Sequence, residues 1–528
     1  MITPARLSRK HASGPHRVAH LVVAAITLFQ ASAYSLQQKD HRTYPGESIS
    51  WHPCGKSGDH DLECSDIDVP IDQFEQHRSS NKTFNIPLVR ARGKNATQHV
   101  LVNPGGPGGS GMAFVYGSVD QLLEVVGEGY HILGFDPRGV NSSRPVASCY
   151  PDDDARKANS EEGSSSALKY AQAQNMVKAC AQNMGKHAKY INTPQTAADM
   201  NSILDAVGQK DLAFMGVSYG SILGQTYAAL FPERSHRIVI SAVSDLFAWY
   251  GTALESDLAD NQDAPRVLEG FFDECIKAGD KCALSSRARS KEALQNKTVN
   301  MLNRLKQEPI PVYLNETLYG VLNDTVWQSG VWPQLYYPDW RTFADALAAM
   351  MDGNATDAFL NLGLGESLDL KADESATFVS ANDGKANDGT TGPTSLSTSE
   401  GIQAIDKMFS TFAGKISPLT PGSVNYYTRQ LWPTPKSHNF VPRKGVKTAH
   451  PLLVVSGTYD PATAIGGAKK ALETFEGSRL VEIKGYGHGQ MGNCGFKHVQ
   501  AFFKNGTLPE KDVQCEAGQS YFAPLPKE

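Results

Sequence analysis

Six short runs constrain this chain most: HVLV (99–102), YHILGF (130–135), LAFMGV (212–217), HRIVISAV (236–243), LLVVSGTY (452–459) and RLVEIK (479–484). Each is continuous in aliphatic and β-branched residues instead of alternating with polar ones, and most end in a glycine-rich or acidic turn. Strands buried on both faces of a parallel sheet read this way. Amphipathic stretches such as TAADMNSILDAVG and SILGQTYAALF lie between the runs and supply the helices that parallel strands need as crossovers. The sequence therefore predicts an α/β class fold, with a mostly parallel central sheet flanked by helices.

The pattern stops near residue 244 and returns near 445. The interval 244–444 carries helical candidates, among them APRVLEGFFDECIKAG and DWRTFADALAAMMDG, and predicts a large, mainly helical cap inserted between two strands. Within it, the Gly/Ser/Thr/Asn/Asp-rich stretch 380–401 is expected to be a mobile loop. The expected core is thus split into residues 34–243 and 445–528.

Residues 1–33 predict a cleavable signal peptide. Arg6, Arg9, Lys10 and Arg17 precede the apolar VAHLVVAAITLF, and Ala31-Ser32-Ala33 ends the segment. The apolar run is about a dozen residues, short of the ~20 needed to span a bilayer. A secreted, extracellular location follows as an expectation. Eight cysteines, an even number, favour disulfides in that setting, and their order suggests the neighbours 54–64, 149–180, 275–282 and 494–515. Eight Asn-x-Ser/Thr sequons, at Asn81, Asn95, Asn141, Asn296, Asn315, Asn323, Asn354 and Asn505, predict a glycoprotein. The net charge of −5 argues against nucleic acid or an anionic membrane as partner. No cysteine or histidine spacing suits a metal, and the sequence implies no cofactor.

The chemistry centres on Gly216-Val217-Ser218-Tyr219-Gly220, a G-x-S-x-G stretch at the predicted junction of a strand and a helix. Such a turn holds the serine in an unfavourable conformation at the sheet edge, and the flanking glycines remove Cβ atoms that would clash. A serine nucleophile needs a base oriented by an acid. Asp460 leaves the strand LLVVSGTY, and His488 lies in GYGHG just after RLVEIK, so the order Ser218, Asp460, His488 matches a Ser…Asp…His triad. Backbone donors for an oxyanion are expected from Tyr219 and from NPGGPGGSG (103–111). Pro104 and Pro107 have no N–H, which leaves Gly105, Gly106 and Gly108, and Gly106 is favoured. No G-K-[ST] follows this glycine loop, so it does not read as a phosphate cradle.

Taken in order, NPGGPGGSG, GFDPRG, GVSYGS, SGTYDP and GYGHG resemble the secreted α/β-hydrolases of the tripeptidyl/prolyl aminopeptidase group, peptidase family S33. WHPC…DLECSDIDVPID resembles that group's N-terminal segment, and residues from about 445 onward its TAP-like C-terminal region. The resemblance implies an α/β-hydrolase fold and an acyl-enzyme formed on Ser218, then hydrolysed by water that His488 activates. It also implies cap carboxylates that bind a substrate's free α-amine, for which Glu255, Asp257, Asp273 and Glu274 stand near the start of the cap. Asp136 and Arg138 in DPRG resemble a structural turn of the family. The expected activity is a secreted aminopeptidase that releases short N-terminal pieces. A secreted carboxylesterase or lactonase is the alternative, because the same triad serves peptide and small ester substrates. A catalytically dead hydrolase fold used for binding is a third reading, which the intact triad candidates disfavour.

Overall fold

The computed structural model describes residues 46–522 except 128, 160–165, 363–373, 386–425, 433–435 and 519. The expected signal peptide lies outside the described residues. Twelve strands are present among them: β1 (His52–Ser57), β2 (His60–Pro70), β3 (Thr83–Ala91), β4 (Gln98–Asn103), β5 (Tyr130–Phe135), β6 (Leu212–Val217), β7 (Ser235–Ser241), β8 (Ile310–Asn315), β9 (Leu318–Leu322), β10 (Leu453–Tyr459), β11 (Arg479–Tyr486) and β12 (Val513–Glu516). Ten form one sheet in the order β1-β2-β3-β5-β4-β6-β7-β10-β11-β12.

From β5 to β12 every pairing is parallel, whereas β1, β2 and β3 join antiparallel at one edge. The six apolar runs are β4, β5, β6, β7, β10 and β11. Both β5 and β6 are buried along their whole length, as expected of strands covered on both faces. Helices Thr193–Ala206 and Tyr219–Leu230 cover one face, and Gly111–Val126 and Gly492–Asn505 pack together on the other. This is the α/β-hydrolase architecture.

Strands β7 and β10 are neighbours, so the chain between them leaves and re-enters the sheet at one place. Among the described residues that excursion is mainly helical and has its own apolar core, in which Phe271, Trp340, Phe343 and Leu347 are fully buried. It also contains an antiparallel hairpin, β8–β9, which the sequence did not predict. The expected loop at 380–401 needs a correction at its start. Residues 380–383 end a buried helix, Ser375–Asp383, because Asn382 and Asp383 find hydrogen-bond partners in the core. Residues 386–401 of that stretch lie outside the described residues.

All eight cysteines are paired, as 54–64, 149–180, 275–282 and 494–515. Among the described residues no helix is long and apolar enough to cross a membrane. Seven of the eight sequon asparagines are exposed, and Asn323 is half-buried.

Candidate active site

Ser218 sits between the end of β6 and helix Tyr219–Leu230, with φ +61° and ψ −125°. A non-glycine residue in that region is strained by about 1–3 kcal/mol, which the surroundings must offset. The Ser218 N–H donates to Ser241 O at 2.9 Å and ties the turn to the end of β7. The flanking glycines are required sterically. A Cβ on Gly216 would lie 2.2 Å from Gly220 O, and one on Gly220 would lie 2.7 Å from Asn103 O.

Asp460 follows β10 and is fully buried. Its Oδ1 accepts the N–H groups of Ala462 and Thr463, each at 2.9 Å, and both carboxylate oxygens lie 2.9 Å from His488 Nδ1. A carboxylate held this way fixes the proton on Nδ1 and leaves Nε2 as the basic nitrogen. His488 Nε2 is buried and has no hydrogen-bond partner among the described residues.

A cap residue completes this neighbourhood. Tyr336, at the end of helix Asp324–Tyr336, packs its ring on His488, and its hydroxyl stands near the Ser218 side chain without a hydrogen bond among the described contacts. Burial, reinforced by the charge of Asp460, holds the Tyr336 phenol well above its usual range and therefore neutral. Asp460 and His488 are thus in contact, and Ser218 and His488 face the same tyrosine. No direct Ser218–His488 hydrogen bond occurs among the described contacts.

The glycine loop after β4 lies against the serine turn. A Cβ on Gly105 would be 2.5 Å from Val217 O and 2.7 Å from Ser218 Cβ. The Gly105 N–H donates to Asn103 Oδ1, and the Gly109 N–H to Gly105 O, both at 3.0 Å, so these two donors are engaged. Neither Gly106 N–H nor Tyr219 N–H has an acceptor among the described residues. Asp136 anchors the far end of the loop, accepting from Ser110 Oγ at 2.5 Å and from Met112 N–H at 3.3 Å. Arg138 is fully buried and forks onto Asp199 at 2.6 and 2.7 Å. Both DPRG residues are structural in their contacts.

Of the four cap carboxylates that the sequence nominates, three are occupied elsewhere. Glu255 closes a capping box with Thr252, while Asp273 and Glu274 grip Lys277 at the surface. The fourth, Asp257, stands beside Asp260 on helix Ala253–Asp260, and its charge acts on both Asp260 and Arg429. Burial, then the charges of Asp257, Asp245 and Asp460, raise the Asp260 carboxyl well above the ordinary carboxylate range, against a hydrogen bond from Ser244. Asp260 and Tyr336 carry no local motif, and only their placement marks them. Cys494, His498 and Cys515 also cluster, but both sulfurs are tied in a disulfide and offer a metal no thiolate.

The family described as alpha/beta hydrolase fold matches residues 98–305, and that described as TAP-like protein matches residues 422–515. Serine protease Hip1 of Mycobacterium tuberculosis is 26% identical over 497 residues, covering 89% of this chain and 91% of that protein. The tripeptidyl aminopeptidase of Streptomyces lividans is 27% identical over 498 residues, covering 88% of this chain and 86% of its own. Carboxylesterase B of Mycobacterium tuberculosis is 24% identical over 498 residues, covering 88% and 89%. The chain has the α/β-hydrolase fold, carries a TAP-like C-terminal region, is similar over most of its length to proteins named tripeptidyl aminopeptidase and serine protease, and is a serine hydrolase.

Proposed function

We propose that this serine hydrolase is an exported aminopeptidase that releases short N-terminal pieces from peptides, with Ser218 as nucleophile, His488 as base and Asp460 as the orienting acid. The observation that carries the proposal is the buried Asp460–His488 pair at 2.9 Å, with its basic nitrogen unengaged, beside a serine held at φ +61°. Ser218 Oγ attacks the scissile carbonyl carbon as its proton passes to His488 Nε2. The oxyanion forms against the Tyr219 and Gly106 N–H groups. One such donor contributes ~2.7–4 kcal/mol in comparable sites. The C–N bond then breaks, and the imidazolium protonates the departing amine. Water, deprotonated by His488, opens the acyl-enzyme and restores Ser218.

The peptide assignment draws on the two relatives named as peptidases, and on carboxylates at the cap that suit a protonated amine. Four disulfides support an exported protein, since they persist in oxidising compartments. The alternative, a carboxylesterase, is favoured by one observation, the relative named Carboxylesterase B. Aminoacyl and tripeptidyl arylamides, each with free and with acylated N-termini, should be compared with simple aryl esters. Preference for free-amine tripeptidyl arylamides supports the aminopeptidase, and turnover confined to esters overturns it.

A further inference from the structure

Behind the serine turn lies a buried carboxylate that the triad does not use. Asp383 ends helix Ser375–Asp383 and is 1% exposed. Its Oδ1 accepts the Thr193 N–H at 2.9 Å, and its Oδ2 accepts Trp249 Nε1–H at 2.8 Å and the Thr193 hydroxyl at 2.5 Å. Thr193 Oγ1 lies 2.6 Å from the Tyr219 hydroxyl. A hydroxyl has one proton, and the threonine's goes to the carboxylate, so the tyrosine must donate to Thr193. The result is a directed chain, Tyr219 O–H to Thr193 O–H to Asp383, which the Trp249 ring closes at 5.3 Å from that of Tyr219. The same helix also touches the facing glycine loop at its other end. A Cβ on Gly108 would stand 2.6 Å from Ser375 Oγ.

One helix therefore bears on both walls of the oxyanion site, on Gly108 through its first residue and, by way of Thr193, on Tyr219 through its last. We propose that Asp383 is a positioning residue, which through Thr193 and the Tyr219 side chain fixes the Tyr219 N–H at the place where the oxyanion forms. The inference rests on Ser218 being the nucleophile and Tyr219 N–H a donor. Helix Ser375–Asp383 lies in the excursion between β7 and β10, so the hole is shaped partly by the chain that also builds the cap. A donor displaced by a fraction of an ångström loses most of its effect on the transition state while substrate binding is retained.

Tyr219→Phe, Thr193→Val, Thr193→Ser and Asp383→Asn should be assayed with the best arylamide or ester, with kcat referred to active sites titrated by phosphonate burst. Tyr219→Phe and Thr193→Val should each lower kcat by about 10–100-fold with KM within about twofold. Thr193→Ser, which restores the hydroxyl, should recover most of the rate. The Tyr219→Phe/Asp383→Asn double variant should be no slower than the slower single one, because both break the same chain. A purely structural role would lower the melting temperature and the titratable fraction but leave kcat per titrated site unchanged. Wild-type kcat in Thr193→Val and Tyr219→Phe overturns the inference. Ser218→Ala separates the two layers, since activity surviving there contradicts the nucleophile itself and not merely its support.

Discussion

The Tyr336 ring lies 4.2 Å from the His488 ring, and the Tyr336 carbonyl accepts the His488 N–H at 2.8 Å. Pro338 packs on the same loop, where a Cβ on Gly487 would be 2.6 Å from it. The cap therefore holds the histidine loop directly. Tyr336→Phe keeps the ring and removes only the hydroxyl near Ser218, leaving the serine to turn to the unengaged Nε2. We expect it to react with a small phosphonate up to ~10-fold faster, equivalent to ~1.4 kcal/mol. Tyr336→Ala removes the packing as well and should lower kcat/KM by ~100-fold, or ~2.7 kcal/mol. Wild-type kinetics in Tyr336→Ala would remove the tyrosine from the site.

Asp260 should select for a free amine. With its carboxyl raised by burial and by Asp257, it ionises late, and a protonated amine would favour the ionised form. Asp260→Asn should raise KM for free-amine substrates by ~10-fold, or ~1.4 kcal/mol, with little change for N-acylated ones. In the wild type, KM for free-amine substrates should fall as pH rises through the elevated Asp260 pKa, while the substrate amine stays protonated. Equal effects on free and blocked substrates would exclude this role.

The Cys494–Cys515 bond joins helix Gly492–Asn505 to β12, where Cys515 is registered with Ile483 of β11, the strand that leads to His488. Closing a loop of this size stabilises by ~3 kcal/mol on the chain-entropy estimate. Mild reduction should lower activity before tryptophan fluorescence reports unfolding. Activity that persists until the global transition would show that the histidine loop does not depend on this bond.

His99 and His131 lie side by side, with ring centroids 5.0 Å apart and both rings buried. Burial lowers them to about 3 and about 4, helped for His99 by His131 and Arg90 and for His131 by Arg90 and Arg92. Glu47 and Glu63 pair with those arginines. Between pH ~6.5 and ~4 the unfolded chain binds protons that the folded chain refuses, so stability falls on acidification. Each ring contributes up to ~1.4 kcal/mol per pH unit. Denaturant unfolding at pH 7 and pH 5 should show this loss, and His131→Gln should flatten it. An unchanged slope in His131→Gln would assign the acid sensitivity elsewhere.

The parallel strands were legible because burial on both faces leaves an uninterrupted apolar run, as in β5 and β6. The antiparallel edge and the separate β8–β9 hairpin were not, because they lack such an uninterrupted apolar run: β2 interleaves acidic residues, and β8 carries Pro311 and the exposed Tyr313. Asn382 and Asp383 read as loop residues by composition, yet their partners Ala188, Ile191 and Thr193 satisfy them in the interior. Ser218, Asp460 and His488 could be nominated because strand ends are where such a sheet exposes side chains. Tyr336, Thr193 and Asp383 have no comparable signal, since only tertiary contacts bring them near the serine turn or the histidine.

The central claim is that Ser218 is the acylated nucleophile. The most direct measurement is labelling of the intact protein with a fluorophosphonate, followed by peptide mapping, in the wild type and in Ser218→Ala. We expect a single stoichiometric adduct on the peptide that contains GVSYG, and neither adduct nor turnover in Ser218→Ala. An adduct on another serine, or labelling and turnover that survive in Ser218→Ala, would contradict it.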